Sequence, residues 1–383
     1  MTPTLMFNPI KRTVASVFLL LTMGVVTSVA AQGGPSADEG DYLNKRWKDV
    51  ATRMPEAWYG SDEAKQVAEN VLLAQKEVGG WAKNKPYHHP LSEGDKAALQ
   101  EEKGEIGATF DNGATIQEMR FLAKVYAHLQ DPRYKEAFEQ GLDYIFASQY
   151  DNGGWPQFFP VRTGKSVAYS GHITYNDNAM VRILSLLQEI AAGDEAFAPL
   201  HLSGDQKAHA KKAMDKGVQC ILNTQIVVDG KPTVWCAQHD ENTLAPAKAR
   251  AYELPSFSGS ESADITLFLM SLKNPSERVV AAVEGAVDWF ETHKVEGIKL
   301  EREQDADGKR NLIVVKDKKA APLWGRFYDL ETEQPFFCDR DGIKKPALAD
   351  IGYERRNGYG WYTNNPADVL EHYPAWHKKV NAH

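Results

Sequence analysis

Cysteine is scarce in this chain, with three among 383 residues, at Cys220, Cys236 and Cys338. None has the close pairing of a thiolate metal site, which excludes a cysteine-ligated zinc centre. Cys220 and Cys236 are able to pair in an oxidising compartment, and the odd count leaves one thiol without an intrachain partner. A basic excess is also missing: 44 Lys and Arg stand against 52 Asp and Glu, a formal net charge of −8. That balance argues against a nucleic-acid partner, yet it allows a local arginine cluster for an anionic ligand. There is no Pro/Ser/Thr-rich linker and no second composition regime, so the mature chain reads as one domain over 42–383. Long apolar runs are absent except for Val14–Val26, which follows Lys11 and Arg12 and precedes Ser28-Val29-Ala30-Ala31. This is the pattern of a secretory leader, too short for a stable membrane span. Residues 1–31 are therefore expected to be removed and residues 32–41 to be a disordered polar lead-in. The product is expected to be an exported monomer that leaves the membrane after cleavage.

What the chain does have is a repeat. Leu72–Asn84 (LLAQKEVGGWAKN), Ile145–Pro160 (IFASQYDNGGWPQFFP) and the degraded Ile221–Asp240 (ILNTQIVVDGKPTVWCAQHD) share a glutamine followed by glycine and tryptophan. Gln75, Gln149 and Gln225 stand 74 and 76 residues apart. That period suits a helical hairpin with its loops, and fixed-period similarity marks a repeat architecture. Apolar residues recur at helical intervals in Ser61–Lys76, Glu105–Leu129, Lys135–Ser148, Asp177–Ala192, His209–Asn223, Ser262–Leu272 and Arg278–His293. Lys299–Val315 and Ile226–Trp235 read as short hairpins of strand. Each repeat is expected to supply one helix pair to a closed ring, with equivalent loops gathered at one end. Trp81, Trp155 and Trp235 read as packing residues of that ring.

A second signature opens the helix after each Gln/Trp phrase: TFDNGA (Thr109–Ala114), TYNDNA (Thr174–Ala179) and SGSESA (Ser258–Ala263). Capping of free backbone amides accounts for each copy alone. Taken together, Asp111, Asp177 and Glu261 would converge on one rim, where three carboxylates repel unless a cation lies between them. Carboxylate and amide oxygens, without His or Cys, suit a hard cation such as Ca²⁺.

The last third differs in kind. Trp324–Gly342 and Tyr353–Pro366 show no helical period and mix Arg326, Arg340, Arg355 and Arg356 with Phe327, Tyr328, Tyr359 and Trp361. Arginine forks bind carboxylates and aromatic faces stack on sugar rings, so this is a candidate binding surface. The plainer alternative is a loop apron over the core with surface ion pairs, Arg340 between Asp339 and Asp341 among them.

The motifs GGWAKN, TFDNGAT, QYDNGGWPQFFP, YNDNAM, WCAQHDENTLAPAKARAYE, SGSESA, WGRFYDLET, FCDRDG and YERRNGYGWY together resemble the family-ten pectate lyases, from about Gly60 to Trp361. The resemblance implies a mainly α fold, an (α/α)3 toroid of helical hairpins with long irregular loops and a few short strands. It implies cleavage of polygalacturonate by calcium-assisted anti β-elimination. Asp111 and Asn112 match the family's first acidic metal motif and Asp177 its second, while Arg250 corresponds to the catalytic base. Arg326 and Arg340 match positions that engage uronate carboxylates. Glu261 joins the metal set from the repeat alignment, and Lys83 and Tyr328 join the substrate set from their places beside these motifs. Calcium is able to arrive together with substrate.

An arginine base runs against a guanidinium's high affinity for its proton. Neighbouring cations and burial are expected to lower that affinity. Two other readings use the same residues: a hydrolase of uronate polymers working through a carboxylate pair, and a non-catalytic oligogalacturonate-binding protein. A terpene-cyclase-like reading of the Gln/Trp repeats does not suit an exported chain with an arginine-rich cleft.

Overall fold

A computed structural model describes residues 41–382. The leader and nearly all of the polar lead-in lie outside the described residues. The helices are α1 (Trp47–Arg53), α2 (Asp62–Ala74), α3 (Glu93–Glu101), α4 (Ile116–Leu129), α5 (Pro132–Ala147), α6 (Ala179–Ala192), α7 (Gly204–Thr224), α8 (Glu261–Ser271), α9 (Glu277–Thr292), α10 (Tyr353–Gly358) and α11 (Asn365–Val380). Amphipathic spacing drives their pairing: α6 buries Ala179, Met180, Ile183, Leu184, Leu187 and Ile190 along one stripe. Helices α4 and α5, α6 and α7, and α8 and α9 pack as three successive hairpins, with α1 and α2 against α4 and α11 against α8 and α9. The result is a mainly α toroid. Residues from Tyr42 onward form one compact unit. Among the described residues the strands pair in twos; the longest pair is Ile298–Gln304 antiparallel to Arg310–Lys316. No helix among the described residues is long and apolar enough to cross a membrane.

The repeated phrase has a physical function. Each glutamine ends an outer helix, and its side-chain amide spans two carbonyls. Gln75 donates to Gly79 O (2.8 Å) and Ala137 O (2.9 Å), which ties α2 to α5. Gln149 donates to Gly153 O and Ala213 O, and Gln225 to Thr233 O and Ala282 O, extending the chain of ties to α7 and α9. The tryptophans are fully buried, as packing residues should be, and each indole N–H returns to a carbonyl of the helix before it: Val71, Ile145 and Ile221. Glycine is needed in between. Gly79 and Gly153 have φ of +93° and +92°, and a Cβ there would meet Gln140 O at 2.2 Å and Lys216 O at 2.1 Å.

Among the described residues, four helices were not legible as periods. Helices α1 and α10 have seven and six residues, too few to display one, α3 buries no side chain, and α11 carries Pro374 inside it. Tyr353–Pro366 is therefore not wholly irregular: α10 occupies its first six residues, and Trp361 Nε1 donates to Arg355 O (3.0 Å) across its end. The Cys220–Cys236 pairing that the composition allows is not formed. All three cysteines are buried free thiols, and burial raises the affinity of each for its proton.

Among the described residues, Glu118 on α4 is the one buried acidic side chain with no cation bonded to it. It accepts Trp47 Nε1 (2.6 Å) while its Oε2 has no partner, and burial pushes its pKa up to about 7. A raised carboxyl contributes stability that is complete below the unfolded-state pKa and is lost as pH rises through about 7. Glu118→Gln should therefore flatten the pH dependence of unfolding in urea, by about 3 kcal/mol relative to wild type between mildly acidic and mildly alkaline pH. Gln75→Leu takes the donor from the loop carbonyl of Gly79 and cuts the tie to Ala137 O in α5, and should cost about 1–3 kcal/mol in the same assay.

Candidate active site

The site is built where the repeats hand over to one another. A relay of backbone bonds joins successive loops: Thr109 N to Trp81 O, Phe110 N to Gln157 O, Thr174 N to Trp155 O, Tyr175 N to Ala237 O, and Ser258 N to Trp235 O. It ends at Gly259 N to Arg326 O, which brings the C-terminal third onto the same rim. The outer helices α2, α5, α7 and α9 take side-chain caps from Ser61, Asp131, Ser203 and Ser276. The N-cap residues of the inner helices α4, α6 and α8 make no such bond, although the Ser258 hydroxyl accepts the N–H of Glu261 at the start of α8 (3.1 Å). Capping therefore accounts for part of SGSESA and does not explain TFDNGA or TYNDNA.

Those signatures form strained turns. Asp111–Gly113 and Asn176–Asn178 are single 3-10 turns, with Asn112 at φ 55°, and Asp177 and Asn178 at φ 50° and 61°. Thr115 follows at φ 68°, held because its hydroxyl accepts Trp81 N (3.0 Å) and donates to Thr109 O (2.9 Å). Left-handed non-glycine residues cost energy and persist where surrounding bonds over-determine them. Read position by position, TFDNGA and TYNDNA put Asp111 in the place of Asn176 and Asn112 in that of Asp177, and the left-handed φ of Asn112 and Asp177 shows the two turns in that register. The two aspartates are thus neighbours across the rim rather than equivalents.

Lys83, Asp111, Asn112, Gln157, Asp177 and Arg250 line one cavity of about 100 Å³. Lys83 is bonded to Asp111 Oδ2, whereas buried Asp111 Oδ1 and Gln157 Oε1 have no partner in the protein. Burial raises the Asp177 carboxyl above the usual carboxylate range; Arg326 opposes the rise, and Glu261 and Asp111 add to it. These groups meet the terms of a hard cation: oxygen donors, two of them orphaned, with negative charge on both sides. Asn112 is exposed and its amide donates to Asn84 Oδ1 (2.9 Å).

Arg250 reaches the cavity from the loop before α8. Its Nε donates to Glu253 Oε2 (2.7 Å) and its Nη2 is bonded to Glu253 Oε1. The expected lowering of its proton affinity is not what the structure has. Burial pulls in that direction, but the Glu253 carboxylate outweighs it and holds the guanidinium above the usual arginine range.

Three predicted site residues stand elsewhere. Glu261 is the first residue of α8, 2% exposed, and it accepts Arg326 Nη2 (2.5 Å) and the Ser258 hydroxyl (2.5 Å). It neutralises Arg326 and is not an open ligand; Asp111, Asp177 and Glu261 do not close on a common point. Among the described residues, the one His/Cys/Asp/Glu trio with ligand atoms within 4.8 Å of each other is His172, Asp240 and Glu241. Tyr328 is buried, donating to His293 O (2.8 Å) and accepting Gly325 N (2.9 Å) against Trp289, so it cannot face a sugar. Arg340 is exposed and pairs with Glu354, not with its chain neighbours. It lines an adjoining cavity of about 520 Å³ with Lys165, Lys248 and Arg250. Arg326 does belong to the rim, bonded to Asn176 Oδ1 (3.1 Å) and 3.5 Å from Asp177.

Glu253, Gln157 and Asn176 were missed. A signal existed for Gln157, which follows Trp155 by two residues as Lys83 follows Trp81. Nothing in the spacing marks Glu253, whose partners only the loop's turn supplies.

The pectic acid lyase family matches residues 75–370. Among solved structures, an aspartate-to-alanine variant of a family 10 polysaccharide lyase from Cellvibrio cellulosa, in complex with trigalaturonic acid, is similar. Its TM-score is 0.73 at 34% sequence identity, covering 88% of this chain and 96% of that one. A second family 10 polysaccharide lyase structure from the same organism has a TM-score of 0.72 at 34% identity, covering 88% and 95%. No curated protein matches.

The placement of Tyr328 is open to measurement. Tyr328→Phe leaves a buried carbonyl and a buried amide unpaired, so it should lower stability by about 1–3 kcal/mol. It should leave KM for the polymer unchanged; a raised KM in a variant of undiminished stability would return Tyr328 to the cleft.

Proposed function

Because this chain belongs to the pectic acid lyase family and is a pectate lyase acting on polygalacturonate, we propose that it works by calcium-assisted anti β-elimination at the Asp111–Asp177–Arg250 rim. The reaction removes the proton from C5 of a galacturonate, alpha to its carboxylate. The C5–H electron pair becomes the C4–C5 π bond as the C4–oxygen bond breaks, and the leaving oxygen takes a proton from water. A 4,5-unsaturated end results.

Each residue has a task in this reading. Asp111 and Asp177, with the amide oxygen of Gln157, would hold Ca²⁺; Glu261, bound to Arg326, is left out of the set. When bound, the ion supplies Lewis-acid neutralisation of charge developing on the sugar carboxylate. Lys83, now on Asp111, exchanges that partner for a substrate carboxylate. Arg326 is fixed by Glu261 and Asn176, which leaves Nη1 available as a preorganised donor to developing negative charge. Arg340 and Lys248, lining the adjoining cavity, meet uronates further along the chain. Arg250 accepts the C5 proton, and it can do so only in its neutral form. Since Glu253 holds its proton, activity must climb toward alkaline pH. The apolar leader is read as an export signal, and the enzyme is proposed to act as a monomer.

The convergence of Asp111, Asp177 and Arg250 on one cavity carries the proposal. Its test is polygalacturonate cleavage followed by ultraviolet absorbance of the unsaturated product. Wild type should turn over with calcium and stop with chelator. Arg250→Ala should lose about 10²–10⁴-fold in kcat. A hydrolase or a binding protein gives no absorbing product, and a rate that peaks in acid and declines through neutrality would sink the arginine base.

A further inference from the structure

Arg250 is exposed on one side, but what holds it is buried. Glu253 is 7% exposed, and its carboxylate spends every bond it makes on two neighbours. Its carboxylate takes the backbone N–H of Arg250 (3.1 Å), the Nε–H of the same residue (2.7 Å) and a bond from Nη2, while Tyr359 donates its hydroxyl to Oε1 (2.8 Å). The loop enforces this, since Glu253 N returns to Arg250 O (2.9 Å) and Ala249 N to Glu253 O (3.0 Å). The guanidinium also lies over the rings of Tyr252 and Tyr359, at 5.0 and 5.8 Å from their centroids. Nη1 alone has no protein partner among the described residues.

From this geometry we propose that Glu253 is a positioning residue for the elimination, selecting Nη1 of Arg250 as the nitrogen that takes the C5 proton. The proposal rests on the reading of Arg250 as the base. A carboxylate that fixes the tautomer of a catalytic histidine acts in the same way. With Nε–H and an Nη2–H donated to the carboxylate, the proton lost when the guanidinium becomes neutral comes from Nη1, and the lone pair appears there. The C5 proton then restores the cation, which Glu253 stabilises again. The same charge sets the pH at which the cycle can start. Facing Arg250 are Glu253 and Tyr252 from its own loop, Tyr359 and Arg355 from the α10 region, and Asp177 from the rim. Lys248, Arg340 and His172 stand around the adjoining cavity. Burial opposes the charge on Arg250, and the bidentate carboxylate prevails.

The test is the pH dependence of kcat and KM on polygalacturonate with calcium, using the full chain. Glu253→Gln keeps an acceptor but removes the charge. Its rising limb should move down by about 1–3 pH units, the effect of one opposite charge lost. Its plateau kcat should fall by about 10-fold or more because the fork no longer fixes the base, with KM little changed. Glu253→Asp should restore the wild-type limb at a lower plateau. Tyr359→Phe should move the limb slightly upward, because the carboxylate loses a competing donor and grips Arg250 more strongly; this variant serves if Glu253→Gln does not fold. A Glu253→Gln limb superimposed on wild type, or kcat and KM failing together with no displaced limb, overturns the positioning role. Arg250→Ala separates the two readings. If it stays active, the arginine base itself falls and this proposal with it. If it is dead while Glu253→Gln keeps the wild-type limb, only the role of Glu253 falls.

Discussion

The structure depends on three glutamine side chains that each bridge two carbonyls. Gln75, Gln149 and Gln225 stand at the same place in each repeat, and each donates one bond to a carbonyl of the following loop and one to a carbonyl within the next outer helix. The loop is thereby held against the neighbouring repeat, and the tryptophan after it packs beneath the rim. Everything that meets at the cavity hangs from these loops.

Charge is arranged on that frame so that no acid faces another unaided. Glu261 is buried with Arg326, and Lys83 covers one oxygen of Asp111. A buried carboxylate and guanidinium cost much desolvation, and the geometry must be good to offset it; here Arg326 gains a second acceptor in Asn176. The ion pairs therefore divide into two kinds. Those of Glu261 and Glu253 are closed within the protein and fix arginines in place. That of Asp111 is half open, with one oxygen unpartnered, and is the one able to exchange a lysine for another cation.

Much of the fold was legible. The period of the glutamines, the helical stripes of α2 and α4–α9, and the two short hairpins at 226–235 and 299–315 all follow from spacing. Helices α1, α3, α10 and α11 were not, being too short, too polar or interrupted by proline. The rim was half legible. TFDNGA and TYNDNA marked the right loops, but grouping Asp111 with Asp177 as equivalent acids matched them by letter; position by position Asp111 stands against Asn176 and Asn112 against Asp177, as the left-handed φ of Asn112 and Asp177 shows. Aligning Glu261 by letter gave it a ligand's role that its place in the first turn of α8 does not allow.

The order of residues alone determined the repeat, the helical hairpins and the family, because these rest on local periodicity and on long motifs read along one chain. Which carboxylate keeps a free oxygen, which arginine is locked and by what, and which aromatic is turned inward were decided only by tertiary structure. Those outcomes depend on partners distant in the chain or on the path of one loop, and burial makes each such pairing nearly all-or-none.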